Sequence, residues 1–164
     1  MTGRAVPRLF LDCDGVLADF DAYATALLGM PPREFEARHG AKRFWDRIAG
    51  HEDFFYKLPL MPDARELWDA VAHLRPVILT GLPRGGWAAP QKTRWAARHF
   101  PGARMVTTMA RAKREHMENP GDVLVDDLLK YKALWEEAGG IFVHHRDTRG
   151  TLEELGALGL DVRR

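Results

Sequence analysis

The chain has little of several features that would point to an extracellular or membrane protein. It has one cysteine in 164 residues, so no disulfide can form within the chain, and a reducing cytoplasm is the expected compartment. No apolar run approaches the roughly 20 residues that a membrane-spanning helix needs. The formal net charge is only +1, whereas surfaces that bind nucleic acid or membranes usually carry a strong basic excess. We therefore expect neither polymeric nucleic acid nor a membrane as a partner.

The sequence does contain an alternation of short apolar runs and amphipathic segments. Strands separated by helices form a parallel sheet that is covered by helices on both faces. The sequence therefore predicts an α/β fold with a Rossmann-like parallel sheet. The apolar runs that have the length of buried strands are residues 9–11, 77–79, 104–106, 123–125 and 141–143.

One segment interrupts this alternation. Residues 17–62 begin with a helical pattern and continue with three aromatic-rich pieces, without a convincing strand. We predict that this segment is a small helical cap inserted after the first strand, so that residues 1–16 and 63–164 form the core. The last helix is expected to begin at Thr151, because Thr151 and Glu154 have the spacing of a capping box.

Polar side chains stand where three of the predicted strands end. Asp12 and Asp14 follow the first predicted strand, Thr80 follows the second, and Asp126 and Asp127 follow the fourth. An isolated Asp-x-Asp-Gly is more often a solvated turn, but such sheets bind ligands beyond the carboxyl ends of their strands. Carboxylates that converge there repel one another unless a cation lies between them. Oxygen ligands and a phosphate substrate favour Mg²⁺.

A carboxylate in such a site can attack phosphorus and form an aspartyl-phosphate, while a second carboxylate moves the proton. Hydrolysis of phosphate monoesters is so slow without a catalyst that accelerations of up to ~10²¹ are needed. Charge stabilisation by a metal ion, a lysine and backbone donors must therefore contribute much of the effect. The pattern of the residues alone does not choose between Lys92 and Lys113 for this lysine.

These residues resemble, in order along the chain, the four motifs of the haloacid dehalogenase superfamily of phosphatases. The motifs are Asp12-x-Asp14-Gly-Val, Thr80 after an apolar strand, a downstream lysine, and Asp126-Asp127. The spacing of the first two motifs is similar to that of members with a small cap of the C1 type. The resemblance extends to the 5'(3')-deoxyribonucleotidases through residues 12–20, 43–45, 78–81, 91–95, 111–113 and 121–127.

This resemblance implies a role for each motif residue. Asp12 would be the nucleophile and Asp14 the general acid and base. Mg²⁺ would be held by Asp12, the backbone carbonyl of Asp14 and Asp127, with Asp126 beside them. The implied substrate contacts are Thr80, Gly81, Lys92, Arg111 and Lys113 for the phosphate, and Phe20, Phe44 and Trp45 for the base.

The resemblance leaves several alternatives open. Gly81 stands where these nucleotidases usually carry a small hydroxyl residue, and the loop at residues 82–86 differs from theirs. Beside a nucleoside monophosphate, the substrate can be another small phosphomonoester such as a sugar phosphate. A non-catalytic module that binds phosphate or nucleotide, and phosphotransfer to an alcohol, are further alternatives. The aromatic pair Phe44 and Trp45 can also belong to the core of the cap. The sequence does not choose between a monomer and a homodimer.

Overall fold

The computed structural model describes residues 6–163 and contains a five-stranded sheet with helices around it. All neighbouring strands are parallel, in the order β3-β2-β1-β4-β5. The predicted α/β class and parallel sheet are therefore confirmed. Of the predicted core, residues 1–5 and 164 lie outside the described residues. The strands are β1 (Leu9–Leu11), β2 (Val77–Gly81), β3 (Arg104–Thr108), β4 (Val123–Asp126) and β5 (Ile141–His144).

The helices occupy the segments between the strands. The α-helices are α1 (Phe20–Leu28), α2 (Pro32–Gly50), α3 (Ala64–Val71), α4 (Ala88–His99), α5 (Lys132–Glu137) and α6 (Thr148–Ala157). Short 3₁₀ helices lie at Ala72–Leu74, Ala110–His116 and Leu129–Tyr131. We call the 3₁₀ helix Ala110–His116 the lysine helix, because it carries Lys113. Within residues 6–163, no helix combines the length and the apolar character that crossing a membrane requires.

The sheet order explains why the strand ends meet at one place. The chain runs outward from β1 through β2 to β3, and then crosses back to β4 and β5 on the other side of β1. The strands β1 and β4 are buried along their whole length, as expected for a parallel sheet that is covered on both faces. The topological switch point therefore lies at the carboxyl ends of β1 and β4, where ligands bind in such folds.

The predicted start of α6 is wrong. The helix begins at Thr148, because the side chain of Asp147 accepts a hydrogen bond of 2.7 Å from the backbone N–H of Gly150 and caps the first turn. Thr151 is instead buried inside the helix, where its hydroxyl contacts the ring of His145.

Residues 17–62 contain α1, α2 and a series of turns after them, and this fully described segment contributes no strand to the sheet. Gly40 adopts φ 86° and ψ 160° inside α2, which divides that helix at a kink. The two ends of this segment lie side by side next to the sheet, because Ala18 near its start and Leu60 near its end form an antiparallel bridge. Backbone hydrogen bonds of 2.8 Å lie on either side of that bridge.

Helix α4 fixes the end of this segment against the sheet region. The side-chain oxygen of Gln91 accepts a hydrogen bond of 2.9 Å from the backbone N–H of Phe55. The indole N–H of Trp95 donates one of 2.8 Å to the carbonyl of Leu58. Because the aromatic rings of Phe55 and Trp95 are buried as well, this part of the segment is held both by packing and by hydrogen bonds.

Candidate active site

A cavity of about 360 Å³ opens at the carboxyl end of the sheet, a size in the range of small-molecule sites. Two parts of the chain line it. The strand ends and the lysine helix contribute acidic and basic side chains, namely Asp12, Asp14, Lys113, Asp126 and Asp127. The segment 17–62 contributes an aromatic surface, namely Phe20, Phe44, Trp45 and Phe55.

Lys113 joins two of these carboxylates. Its ammonium group donates hydrogen bonds of 2.9 Å to Asp12 Oδ1 and 3.0 Å to Asp126 Oδ2, and all three side chains are buried. Burial lowers the pKa of Lys113, but the two carboxylates outweigh it and raise the pKa above its usual value. The other oxygen of Asp126 accepts from the backbone N–H of Leu128 at 3.0 Å, so both of its oxygens have partners.

Asp127 lies directly over Gly15. Gly15 has φ 83°, and a Cβ at this position would overlap the carboxylate of Asp127. Only a glycine therefore combines this backbone conformation with this close approach. One oxygen of Asp127, Oδ1, is buried and has no hydrogen-bond partner among residues 6–163.

The electrostatics of this acidic group favour a cation. Burial raises the pKa of Asp127 well above its usual range, and the nearby charge of Asp12 raises it further. Burial also raises the pKa of Asp12, although Lys113 opposes the shift. A cation next to these carboxylates would stabilise their ionised forms and lower both pKa values again.

The residues present fit a divalent cation with hard oxygen ligands. Asp12, Asp126 and Asp127 each offer a carboxylate oxygen, and these oxygens lie within 4.8 Å of one another. Carboxylate oxygens are the ligands that Mg²⁺ prefers. Because Asp126 already has partners for both oxygens, the unpartnered Oδ1 of Asp127 is the better ligand of the adjacent pair.

A second lysine holds Asp14. The Lys92 ammonium donates hydrogen bonds of 2.8 Å to Asp14 Oδ2, 2.8 Å to Thr80 Oγ1 and 3.0 Å to the carbonyl of Gly81. An ammonium group has three protons, so all of the donors of Lys92 are in use. It also lies 4.5 Å from the centre of the Phe55 ring. Asp14 Oδ1 is buried without a partner among the described residues.

The structure brings most of the predicted site residues to the cavity. Three of them, Thr80, Lys92 and Arg111, do not line it. Thr80 is fully buried and accepts a hydrogen bond from the Lys92 ammonium, which in turn bonds Asp14. Arg111 is exposed on the lysine helix. The predicted residues that line the cavity are Asp12, Asp14, Phe20, Phe44, Trp45, Gly81, Lys113, Asp126 and Asp127.

The aromatic residues have two roles at once. Phe44 lines the cavity but is only 4% exposed, and its ring packs 4.9 Å from that of Trp45 and 6.3 Å from that of Phe20. The two alternatives for this pair, a ligand surface and the core of the segment, are therefore compatible. Sequence reasoning missed Phe55, although it lies in one of the same aromatic-rich pieces.

Charged residues at the mouth of the cavity were also missed. Asp21 on α1, and Arg33 and Glu36 on the first turns of α2, line the cavity and are exposed. Charged residues on a helix surface are usually solvated, so no signal in the sequence separates these three from their neighbours. They give the aromatic half of the cavity a polar rim.

Comparison with known proteins assigns the chain to no family. No protein-family model matches it, and no curated protein is significantly similar to it. The functional interpretation therefore depends on the motifs and on the geometry of the cavity.

Proposed function

We propose that this chain is a Mg²⁺-dependent phosphomonoester hydrolase that forms an aspartyl-phosphate on Asp12 and acts on nucleoside monophosphates. One observation carries the proposal: a single cavity contains two carboxylates, Asp12 and Asp14, each held by its own buried lysine. Lys113 holds the first and Lys92 the second. The order of the motifs along the chain, which is similar to that of haloacid dehalogenase phosphatases, supports the same assignment.

Asp12 supplies the nucleophilic oxygen in this proposal. Its carboxylate attacks phosphorus, a bond forms between Asp12 and phosphorus, and the bond between phosphorus and the leaving oxygen breaks. Lys113, which already contacts Asp12 Oδ1 at 2.9 Å, places a positive charge next to the transferring phosphoryl group. Water then attacks the aspartyl-phosphate, which releases inorganic phosphate and restores Asp12.

Asp14 moves the proton in both halves of the reaction. It donates a proton to the leaving oxygen and later takes one from the attacking water. Lys92 occupies Asp14 Oδ2, so the exchange of the proton is assigned to Oδ1, which has no partner among the described residues.

Mg²⁺ is the cofactor of this proposal, held by the carboxylates of Asp12 and Asp127 with Asp126 beside them. When bound, it supplies positive charge at the phosphate oxygens and reduces the repulsion between carboxylates. The unpartnered Oδ1 of Asp127 and the raised pKa of Asp127 support this assignment.

The substrate class is proposed from the aromatic half of the cavity. Phe20, Phe44 and Trp45 present apolar ring surface, on which a flat nucleobase can stack. In this proposal, residues 17–62 are a C1-type cap that covers the leaving group, and the protein acts in the cytoplasm. The side-by-side exit and return of the chain at Ala18 and Leu60 is consistent with such an inserted unit.

The proposal is tested by phosphate release from a panel of nucleoside monophosphates and sugar phosphates, with and without Mg²⁺. We expect Mg²⁺-dependent release from nucleotides. Asp12→Asn should lower kcat by about 10³-fold or more, since it removes the nucleophile. Asp46→Asn is the matched control, because Asp46 is an exposed carboxylate that pairs with Lys42 outside the cavity.

The outcomes separate the alternatives. Full Mg²⁺-dependent activity in Asp12→Asn would refute the assignment of the nucleophile. Release from sugar phosphates with a flat response to nucleotides would retain the chemistry and refute the substrate class. Tight binding of nucleotide by the wild-type protein without release from any compound would indicate a non-catalytic binding module.

A further inference from the structure

Gly81 leaves space that a neighbouring element fills. It is the last residue of β2 and lines the cavity. Its φ lies outside the left-handed region, so its backbone suits any residue, and the restriction comes from its surroundings. A Cβ at Gly81 would lie 3.0 Å from the Cβ, 3.3 Å from the Cα and 3.4 Å from the N of Ala110. Carbon atoms pack best at roughly 3.5–4.0 Å, so Ala110 would have to move.

The contact is with a rigid part of the lysine helix. Ala110 is the first residue of that helix, and the atoms that meet the added Cβ are its backbone and its Cβ, which no side-chain rotation can move. Just before the helix, Thr108 pairs with Gly81 in the sheet, and its carbonyl accepts a hydrogen bond of 2.8 Å from the N–H of Leu82. The start of the lysine helix therefore cannot slide away without loosening the end of β3.

Displacement at Ala110 reaches Lys113 directly. The two residues are three apart, which places them on the same side of a 3₁₀ helix. Lys113 bridges Asp12 and Asp126 at 2.9 and 3.0 Å. Because its side chain is only 7% exposed, the stem has little room to compensate for a shift of its backbone.

We infer that Gly81 is a positioning residue: its missing side chain lets the lysine helix lie against the end of β2 and so places Lys113 between Asp12 and Asp126. The inference depends on the proposed function, in which Lys113 neutralises the transferring phosphoryl group. It also explains the departure from the nucleotidase pattern, since the Cβ of a hydroxyl residue at position 81 would crowd Ala110 and push it away by a few tenths of an ångström.

Two substitutions distinguish this inference from a missing phosphate contact. We expect Gly81→Ala and Gly81→Ser both to lower kcat by roughly tenfold, in line with the sensitivity of catalysis to shifts below 1 Å. If Gly81 merely lacks a hydroxyl contact, Gly81→Ser should raise kcat/KM and Gly81→Ala should leave it unchanged. That result would overturn the inference.

Rescue and control variants test the steric cause. Adding Ala110→Gly to Gly81→Ala removes the Cβ that is contacted, so the double variant should recover most of the lost kcat. Gly86→Ala is the matched control, because a Cβ at this exposed residue of the following loop meets nothing within 4 Å, and its kcat should equal that of the wild type. A double variant no more active than Gly81→Ala would count against the inference.

A second measurement does not require activity. The rate at which an amine reagent labels Lys113, followed by peptide mass spectrometry against exposed Lys42, should rise severalfold in Gly81→Ala and fall again in the double variant. If the wild-type protein releases no phosphate from any compound, the proposed function fails while the labelling still tests the position of Lys113. Unchanged labelling and unchanged kcat in Gly81→Ala would refute the inference alone.

Discussion

Replacing Lys92 with methionine should destabilise the protein by about 3–5 kcal/mol, the usual cost of breaking a buried ion pair. The Lys92 side chain is 2% exposed and donates three hydrogen bonds, to Asp14, Thr80 and the carbonyl of Gly81. Methionine has a similar length without the charge or the donors. Packing against Phe55 is therefore largely retained, and the change isolates the polar interactions.

The hydrogen bonds that Lys92→Met removes give a similar estimate of the loss in the free energy of unfolding. A buried acceptor that loses its partner costs about 1–3 kcal/mol. The Asp14 side chain is 29% exposed, so water can replace part of its lost interaction, whereas Thr80 is fully buried. The loss at Asp14 therefore belongs at the low end of that range, and the total stays near the cost of one buried pair.

Lys42→Met is the matched control. Lys42 Nζ lies 2.8 Å from Asp46 Oδ2, the same distance as in the Lys92–Asp14 pair, but the Lys42 side chain is 89% exposed. Solvent screens such a pair, and its contribution to stability is usually close to the error of measurement. The two variants thus remove ion pairs of equal length that differ in burial.

Urea unfolding of the wild-type protein and both variants measures the difference in the free energy of unfolding. Equal losses in the two variants would refute the reasoning that burial makes the Lys92 pair strong. Lys92→Met should also lower kcat by roughly 10²-fold, because Asp14 loses the group that orients it, while Lys42→Met should leave kcat unchanged.

Three further predictions concern other parts of the site and its supports. Gly15→Ala should abolish Mg²⁺ binding measured by calorimetry, because its Cβ overlaps Asp127 and its positive φ strains an alanine by about 1–2 kcal/mol; wild-type affinity would contradict this. Mg²⁺ should raise the Tm more at pH 8 than at pH 5. Because the pKa of Asp127 is raised in the folded state, the folded protein loses stability as the pH rises and Asp127 ionises, and a bound cation offsets this loss. An equal rise in Tm at both pH values would count against this prediction. Burial lowers the pKa of His145 from its ordinary 6.5, so the folded state binds fewer protons than the unfolded state, and the free energy of unfolding should fall as the pH drops from about 7 to 5. His145→Gln should flatten this dependence in urea titrations, and an identical slope would show that other groups cause it.

The sheet was predictable because its strands are buried on both faces and therefore appear as continuous apolar runs. The run at residues 123–125 is the best example, since every residue of β4 is buried. The start of α6 was not predictable in the same way, because two local patterns compete within a few residues. Asp147 and Thr151 can each cap a helix, and the contact of Thr151 with His145 in the folded core decides between them.

The acidic part of the site was predictable for a geometric reason. Parallel strands end at one edge of a sheet, so polar residues that follow different strands come together without further information. The position of Lys92 required the tertiary structure, because a lysine on a helix is exposed in most proteins. Here α4 packs against the end of β2 and against Phe55, which buries the side chain and turns its ammonium toward Asp14 and Thr80 instead of the cavity.

The two lysines at the strand ends do not balance the negative charge of the carboxylates there. Four carboxylates meet there, and the two ammonium groups leave a formal excess of two negative charges. Lys92 balances Asp14, and Lys113 balances one of the two charges of Asp12 and Asp126. One charge of the excess therefore lies on the Asp12–Asp126 pair, and the other on Asp127, which has an unpartnered buried oxygen and a pKa raised chiefly by burial. The remaining charge equals that of one divalent cation. The proposed Mg²⁺ would therefore balance the charges that the lysines leave, including that of Asp127, which alone of the four carboxylates contacts no lysine among the described residues.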